Sequence, residues 1–394
     1  MIEKQHLHIR EIVVAGYRSI RSIRFPLGQL TVFLGANGAG KTNLYRSLQL
    51  IQAAAAGTLS RELAAEGGME SALWAGKRQS KKPVRIALGV GLGGIETDTS
   101  DYAYEIATGL SYSYEVEAGL RMPTAAAFVL EAQIKEETLT HHHRGRAAKL
   151  LERRGPALFA RDVDGHRSEI GGGLMASETA LGSLTDPARF PDLFLIRRKL
   201  LDWRFYHDFR TDAAASLRQP CLAVTTPTLS SDGSDLAAVL ATLVHIREDT
   251  HDLDQAIDDA FPGARLVVPS PGRTASFGMI FPEHPKRVFE ASELSDGTLR
   301  FLALAGALLA YRLPGFIALN EPETSLHPDL LEPLARLVAK AAERTQVWVV
   351  THSQVLAAAL AEHGRTAPLT VVKREGETWI EGLRLDGSFR DDED

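Results

Sequence analysis

The sequence predicts an α/β fold in two lobes. The first lobe is organised around a phosphate loop and the second around a parallel sheet. Three observations carry this. Residues Gly35-Ala36-Asn37-Gly38-Ala39-Gly40-Lys41-Thr42 have the form G-x-x-x-x-G-K-[ST]. Apolar, β-branched runs at 315–319 and 346–350 flank an amphipathic helix pattern at 330–344, a unit that calls for parallel strands with covering helices. Between them, runs at 84–90, 102–106, 111–117 and 126–134 alternate polar and apolar residues, as an antiparallel sheet with one wet face requires.

The loop has the context that the motif needs. A buried strand at 30–34 precedes it and a helix at 43–56 follows. Its glycines let backbone N–H groups turn inward around a polyphosphate, and the helix N-terminus adds positive potential. Residues Asn37, Gly38, Ala39, Gly40, Lys41, Thr42 and Asn43 form the cradle. The Lys41 ammonium is expected to reach the β- and γ-phosphates, and the Thr42 hydroxyl to serve Mg²⁺.

Size and composition bound the rest. A chain of 394 residues holds two or three domains and a large core. With 44% hydrophobic and 24% charged residues it reads as an ordinary soluble protein. No apolar run approaches a membrane span, and the first residues lack a signal-peptide core, so no membrane partner is expected. One cysteine, Cys221, excludes an internal disulfide and a cysteine-rich zinc site, which points to the cytoplasm. The net charge of −6 gives no global basic signature for nucleic acid.

In chain order, strands at 11–15 and 22–25 lead through a Pro26–Gln29 turn into the strand before the loop. Residues 71–83 form a basic loop. Residues 136–154 read as a charged helix, and 157–170 as a hairpin turning at Asp164-Gly165. Residues 190–209 read as a helix dense in aromatics and arginines. Its rings and its Arg197, Arg198, Lys199, Arg204 and Arg210 suit either nucleic acid or a plain amphipathic packing face. Helices at 236–246 and 299–311 and strands at 265–268 and 276–281 follow. The domains expected are 1–134, an N-terminal lobe; 135–215, a helical, lid-like insert; and 216–394, a C-terminal lobe.

Three later stretches complete the set: Leu294-Ser295-Asp296-Gly297 at the head of an apolar helix, Asn320-Glu321-Pro322-Glu323-Thr324-Ser325-Leu326-His327-Pro328 after one buried strand, and Thr351-His352-Ser353 after the next. In this order and spacing they resemble the signature, Walker B with D-loop, and switch-histidine motifs of ABC-type ATPases. The version here is most similar to the SMC/RecF/OLD-like branch, and within it to small stand-alone bacterial AAA-family ATPases. Gly16-Tyr17-Arg18-Ser19-Ile20 matches the aromatic-Arg-Ser run of that branch. The resemblance covers residues 9–60 and 285–355 and is weak across 135–215. It implies a P-loop NTPase head of ABC type, with a mixed or parallel sheet, an antiparallel β subdomain and an α-rich insert instead of a coiled coil.

The resemblance also implies roles. ATP and Mg²⁺ are the expected ligands. Lys41, Glu321 and His352 are the catalytic set: Glu321 to orient and deprotonate water, His352 to sense the γ-phosphate. Ser295, Asp296 and Gly297 would serve the ATP held by a second copy, so a head-to-tail homodimer is implied, with Ser325, Leu326 and His327 crossing its interface. Each has a plain alternative: a helix cap for Ser295–Gly297, a structural histidine for His352, and strand placement for Arg18 and Ser19, which are otherwise nucleotide contacts. Asn320 stands where an Asp normally holds a Mg²⁺-bound water. An amide keeps an acceptor oxygen but loses the charge, so slow turnover is expected. Gln79 is the candidate for the missing Q-loop, with a solvent-exposed glutamine as its alternative.

His141-His142-His143 reads as a solvated run and 391–394 as an acidic tail. Two functions follow: an ATP-driven dimerisation switch acting on DNA in repair or phage defence, or a regulatory ATPase governing a separately encoded nuclease or toxin. No Toprim-like acidic cluster follows residue 355, which counts against a self-contained nuclease. The missing Q-loop and the elaborated middle count against a transporter subunit.

Overall fold

Three strands lead the chain: β1 (His8–Tyr17), β2 (Ile20–Pro26) and β3 (Leu30–Leu34), and then come helices α1 (Lys41–Ala56), α2 (Leu59–Ala65) and α3 (Gly68–Ala72). Six more strands follow, β4 (Arg85–Gly93), β5 (Tyr112–Gly119), β6 (Gln133–His143), β7 (Arg146–Arg154), β8 (Ala157–Arg161) and β9 (Arg167–Glu169), with short helices α4 (Ala180–Ser183) and α5 (Pro191–Leu201) behind them. The next stretch holds β10 (Arg204–Tyr206), β11 (Cys221–Leu222), α6 (Leu236–Thr242), α7 (His251–Ala260), β12 (Arg265–Val267), β13 (Thr274–Ala275), β14 (Gly278–Ile280) and β15 (Phe289–Glu290). The chain closes with α8 (Asp296–Leu309), β16 (Phe316–Asn320), α9 (Leu331–Ala342), β17 (Gln346–Thr351), α10 (Gln354–Gly364), β18 (Leu369–Arg374) and β19 (Glu377–Ile380). This computed structural model describes residues 7–76, 84–94, 111–120, 128–171, 173–247 and 249–389. They divide into two units, 1–28 with 35–203 and 370–394, and 29–34 with 204–369.

The first unit is built on an antiparallel sheet in the order β2-β1-β4-β5-β6-β7-β8-β9. Alternation sets its inner face: Ile12 and Val14 of β1, Ile23 and Phe25 of β2, and Tyr112, Tyr114 and Val116 of β5 are all buried. Residues 136–154 form the β6–β7 hairpin rather than the charged helix expected. The physical reason is the two-residue turn Arg144-Gly145, with φ of 48° and 70°. Two left-handed residues give the tight hairpin turn that matches strand twist. Arginine is an uncommon occupant of such a turn, so the signal is weak in sequence. The hairpin at Asp164-Gly165 is present as β8–β9, with Phe159 opposite Glu169. Among the described residues of 135–215 the α-helices are α4 and α5, and the helix expected over 190–209 ends at Leu201.

Helix α1 is this unit's central helix. Its apolar side buries Leu44, Leu48 and Ile51. Gln52 donates to the carbonyls of Leu200 at 3.2 Å and Trp203 at 2.9 Å, and Arg197 Nε to that of Ala55 at 3.1 Å. Leu193, Ile196 and Leu200 of α5 are buried. The amphipathic reading of the aromatic-arginine helix therefore accounts for its apolar side. The C-terminal hairpin β18–β19, which the sequence reading did not anticipate, pairs Val372 with Trp379.

The second unit carries the sheet β10-β16-β17-β3, parallel throughout. Both faces are covered, so β16 and β17 are buried along their whole lengths. Trp348 stacks on Phe33 with ring centroids 4.3 Å apart. Helix α8 is buried from Thr298 to Leu309. The register puts Asn320 opposite Val350 and Thr351 opposite Leu34. The carboxyl ends of β16, β17 and β3 thus lie side by side, and Gly35 of the phosphate loop is the next residue after β3. Ligands of open α/β sheets bind outside this edge.

Candidate nucleotide site

The phosphate loop turns through two left-handed glycines, Gly38 (φ 81°) and Gly40 (φ 100°), before α1 begins at Lys41. A Cβ on Gly38 would meet nothing within 4 Å, so that side of the loop is open. Lys41 is 4% exposed, and its ammonium donates to the carbonyls of Gly35 at 2.6 Å and Ala36 at 3.0 Å. Asn37, Gly38 and Thr42 are exposed. An open rim of N–H groups at a helix N-terminus, with a lysine folded into it, is an anion cradle.

Arg18, Ser19 and Asn43, which the sequence offers as nucleotide contacts, each hydrogen-bond within the protein. The Arg18 guanidinium, held at a left-handed φ of 49°, donates to Glu66 Oε2 from Nε at 3.1 Å and Nη2 at 2.8 Å. The Tyr17 hydroxyl donates to the same oxygen at 2.8 Å, and Arg46 of α1 donates to Glu66 Oε1 at 2.5 Å. Burial works against the Arg46 charge, but hydrogen bonds to Glu66 and Glu62 outweigh it and hold its pKa above the ordinary value. Burial, with Glu66 beside it, pushes the Tyr17 phenol up, so it stays protonated. Ser19 and Asn43 face each other, Asn43 Nδ2 donating to Ser19 Oγ at 2.7 Å.

In the second unit, Glu321 follows β16 at a left-handed φ of 48°, its N–H held by the Val350 carbonyl at 2.7 Å. Strain of this kind persists where the surroundings over-determine it. His352 follows β17. Its Nδ1 lies 3.8 Å from Glu321 Oε1 and 3.2 Å from Glu323 Oε1. Glu323, to which the sequence motifs assign no role, is 7% exposed and organises the turn. Its Oε1 accepts from Thr351 Oγ1 at 2.5 Å and from the N–H groups of His352 at 3.0 Å and Ser353 at 3.3 Å. Its Oε2 is buried and has no hydrogen-bond partner among the described residues. The second Glu of Glu-Pro-Glu, four residues after a buried strand residue, was the available signal.

Asn320 is 2% exposed, with Nδ2 2.7 Å from Nδ1 of His207 and Oδ1 buried without a partner. Arg300, on α8, reaches the carbonyls of His207 and Glu321 at 3.3 Å each and Asp208 Oδ1 at 3.4 Å. Burial lowers the pKa of that guanidinium, and Asp208 works the other way. His207 and Arg300 were not legible as site residues because nothing in a lone His or a mid-helix Arg marks them.

Ser295 caps α8, its Oγ accepting from the Thr298 N–H at 3.2 Å, and it is exposed. Asp296 pairs with Arg218 at 2.6 Å, and Arg218 also donates to the carbonyls of Ser292 at 3.0 Å and Leu294 at 2.7 Å. A Cβ on Gly297 would come 3.1 Å from the Ser325 carbonyl, so this glycine lets the 325–327 turn approach the helix start. Gln79 lies outside the described residues, as do the strand expected at 102–106 and the acidic tail. His141, His142 and His143 lie on β6, where the ring of His141 sits 4.9 Å from Tyr112 and His142 meets Ser113 Oγ at 2.9 Å.

The first unit carries an anion cradle at the start of α1, and the carboxyl edge of the second unit's parallel sheet carries a strained Glu and a His on adjacent strands. The chain resembles an SMC head bound to the C-terminal winged-helix domain of ScpA, at 14% identity and a TM-score of 0.50, over 96% of this chain and 99% of that one. An SMC head with an extended coiled coil bound to the C-terminal domain of ScpA, from Pyrococcus furiosus, matches at 13% identity, TM-score 0.49, over 96% and 97%. The SMC head of Thermotoga maritima matches at 14%, TM-score 0.43, over 96% and 99%. At such identities the likeness is one of fold, and the first match carries it. Residues 30–358 match the sequence profile of the family described as "AAA domain, putative AbiEii toxin, Type IV TA system", and the chain belongs to that family. By family it is an AAA-domain protein, and its fold is that of an SMC head. No protein of curated function matches it. Its longest helix among the described residues is α1, of 16 residues, so none of them forms a coiled-coil arm. None is long and apolar enough to cross a membrane.

Proposed function

We propose that the chain binds ATP in the Gly35–Thr42 loop, hydrolyses it with Glu321, and joins a second copy head to tail while the triphosphate is intact. The observation that carries this is the gathering of Glu321, Glu323 and His352 at the carboxyl edge of β16 and β17. β3, which pairs with β17, leads into the loop.

Each side chain has a task its surroundings suit. The loop N–H groups and Lys41 bind the phosphates, and the lysine exchanges its two carbonyl partners for β- and γ-oxygens. Glu321 orients the attacking water and takes its proton. His352, steered by Glu323 Oε1, contacts the γ-phosphate. On this reading the exposed Thr42 hydroxyl would be a Mg²⁺ ligand, and Asn320 Oδ1, with no donor among the described residues, would accept from a metal-bound water. The ion would supply charge neutralisation at the β- and γ-oxygens. Asn320 brings no charge of its own, so slow turnover follows. Exposed Ser295, with the start of α8 that it caps, would face a partner copy's γ-phosphate.

The reading is tested by two variants. Lys41→Ala should lose ATP binding in calorimetry, and retained affinity would refute the loop assignment. Glu321→Gln should elute as an ATP-dependent dimer on size exclusion; a monomer under saturating ATP argues against the sandwich. DNA in repair or defence is the substrate we infer, and duplex binding that strengthens with ATP and weakens with salt supports it. A regulatory ATPase controlling a separate nuclease or toxin is the second reading. It is favoured by the toxin–antitoxin wording of the family description and by the ScpA domain on the matched SMC head.

A further inference from the structure

The family profile ends at residue 358, yet the phosphate loop is held from behind by residues beyond it. Thr378, on β19, is 2% exposed. Its Oγ1 lies 3.0 Å from the Ala39 carbonyl, inside the loop, and 2.6 Å from Ser19 Oγ. Ser19 Oγ in turn lies 2.7 Å from Asn43 Nδ2, in the first turn of α1. The Thr378 N–H donates to the Ser19 carbonyl at 2.8 Å.

The proton positions follow from counting. A carbonyl only accepts, so the single Thr378 hydroxyl proton goes to Ala39. Thr378 must then accept from Ser19, whose own proton is used there, and Ser19 accepts from Asn43, which can only donate through its amide nitrogen. The result is a one-way chain, Asn43 to Ser19 to Thr378 to Ala39, that ties both ends of the loop-to-helix junction to one hydroxyl.

The glycines record the same contact. A Cβ on Gly40 would lie 1.8 Å from Thr378 Oγ1 and 2.9 Å from Ser19 Oγ, and one on Gly35 would lie 2.6 Å from the Val371 carbonyl on β18. A Cβ on Gly38, by contrast, meets open space. The loop therefore has a front and a back, and the β18–β19 hairpin fills the back.

We propose that Thr378 is a positioning residue for the phosphate loop: the C-terminal hairpin sets the loop's bound conformation before nucleotide arrives. Its consequence for affinity rests on the ATP-binding reading above; the ordering of the loop does not. A preordered loop contributes equally to ground and transition states, so its loss should appear in KM and not in kcat.

The test compares Thr378→Val, which keeps the shape and drops the hydroxyl, with Thr378→Ser, which keeps the hydroxyl. In the nucleotide-free protein, Thr378→Val should speed hydrogen exchange of the hydrogen-bonded Ala39 and Asn43 amides about ten-fold, while Thr378→Ser stays near wild type. Unchanged exchange in Thr378→Val overturns the proposal. With ATP, Thr378→Val should raise Kd and KM about ten-fold and leave kcat within about two-fold. A fall in kcat at unchanged KM would also overturn it. Ser19→Ala should be non-additive with Thr378→Val, since both break one chain; additive effects count against the relay. Should Thr378→Val misfold, Ser19→Ala alone carries the exchange test. Wild-type protein that binds no ATP would overturn the function proposed above, while the exchange result still decides the clamp.

Discussion

At the scale of single residues, the site depends on buried acceptors being matched to donors. Glu323 shows this most directly. One carboxylate oxygen holds a hydroxyl, two backbone N–H groups and the near edge of His352. Leaving a buried donor unmatched costs about 1–3 kcal/mol. Glu323→Ala should therefore destabilise the turn after β17 as well as free the histidine, and loss of activity alone would say little. Glu323→Gln separates the two effects, because the amide oxygen still accepts while the charge facing Nδ1 is gone. We expect kcat for ATP hydrolysis to fall about ten-fold with KM unchanged, and the melting temperature to shift by only a few degrees. Unaltered kcat would reduce Glu323 to a structural brace. Asn320 belongs to the same argument: its buried Oδ1 has no donor among the described residues, and under the proposed function it would accept from a metal-bound water.

At the scale of elements, what was legible depended on how far apart in sequence the determining residues lie. The phosphate loop announces itself in eight consecutive residues, and the parallel sheet in unbroken apolar runs. The β6–β7 hairpin did not, because its turn places Arg144 where glycine or asparagine is usual. The back of the loop was invisible for another reason: Thr378 meets Ala39 across 339 residues, and a lone threonine in a polar hairpin carries no pattern. Elements are also joined through Glu137 of β6, whose carboxylate accepts from the N–H groups of Ala180 at 2.6 Å and Leu181 at 2.9 Å and from the Tyr114 hydroxyl at 2.9 Å. Burial raises its pKa above the ordinary 4.5, against the pull of those donors. A raised folded value means that folding takes up a proton. The stabilising contribution is full below pH 4.5 and fades as pH climbs through the folded value. Glu137→Gln does not titrate, so the stability difference between variant and wild type should drift in the variant's favour as pH rises from about 4 to 8. The constant offset reflects repacking; the slope, from denaturant melts at each pH, is the readout. A flat difference would mean that the donors offset burial and leave this carboxyl's pKa unmoved on folding.

At the scale of the whole molecule, each chain carries one phosphate loop and one Ser295 turn, which leaves two ways to complete a site. Either both halves come from one chain, or each ATP is shared between the loop of one copy and the turn of another. An isologous twofold pairing of the second kind yields two equal sites. Mixing inactive variants distinguishes the two. Lys41→Ala chains have a dead loop and a sound turn; Ser295→Arg chains have the reverse, with bulk and charge added at an exposed position. If sites are shared, a mixed dimer has one site with both halves sound and one with both halves dead. In an equal mixture half of the dimers are mixed, so ATPase activity should recover to about one quarter of wild type. If each chain completes its own site, every site keeps one dead half and the mixture stays inactive at any ratio. Recovery should rise with total protein concentration and vanish on dilution below the dimer's dissociation constant, since only association restores it. Activity that reappears without that concentration dependence would point to exchange-independent rescue and would refute the shared site as surely as no recovery at all.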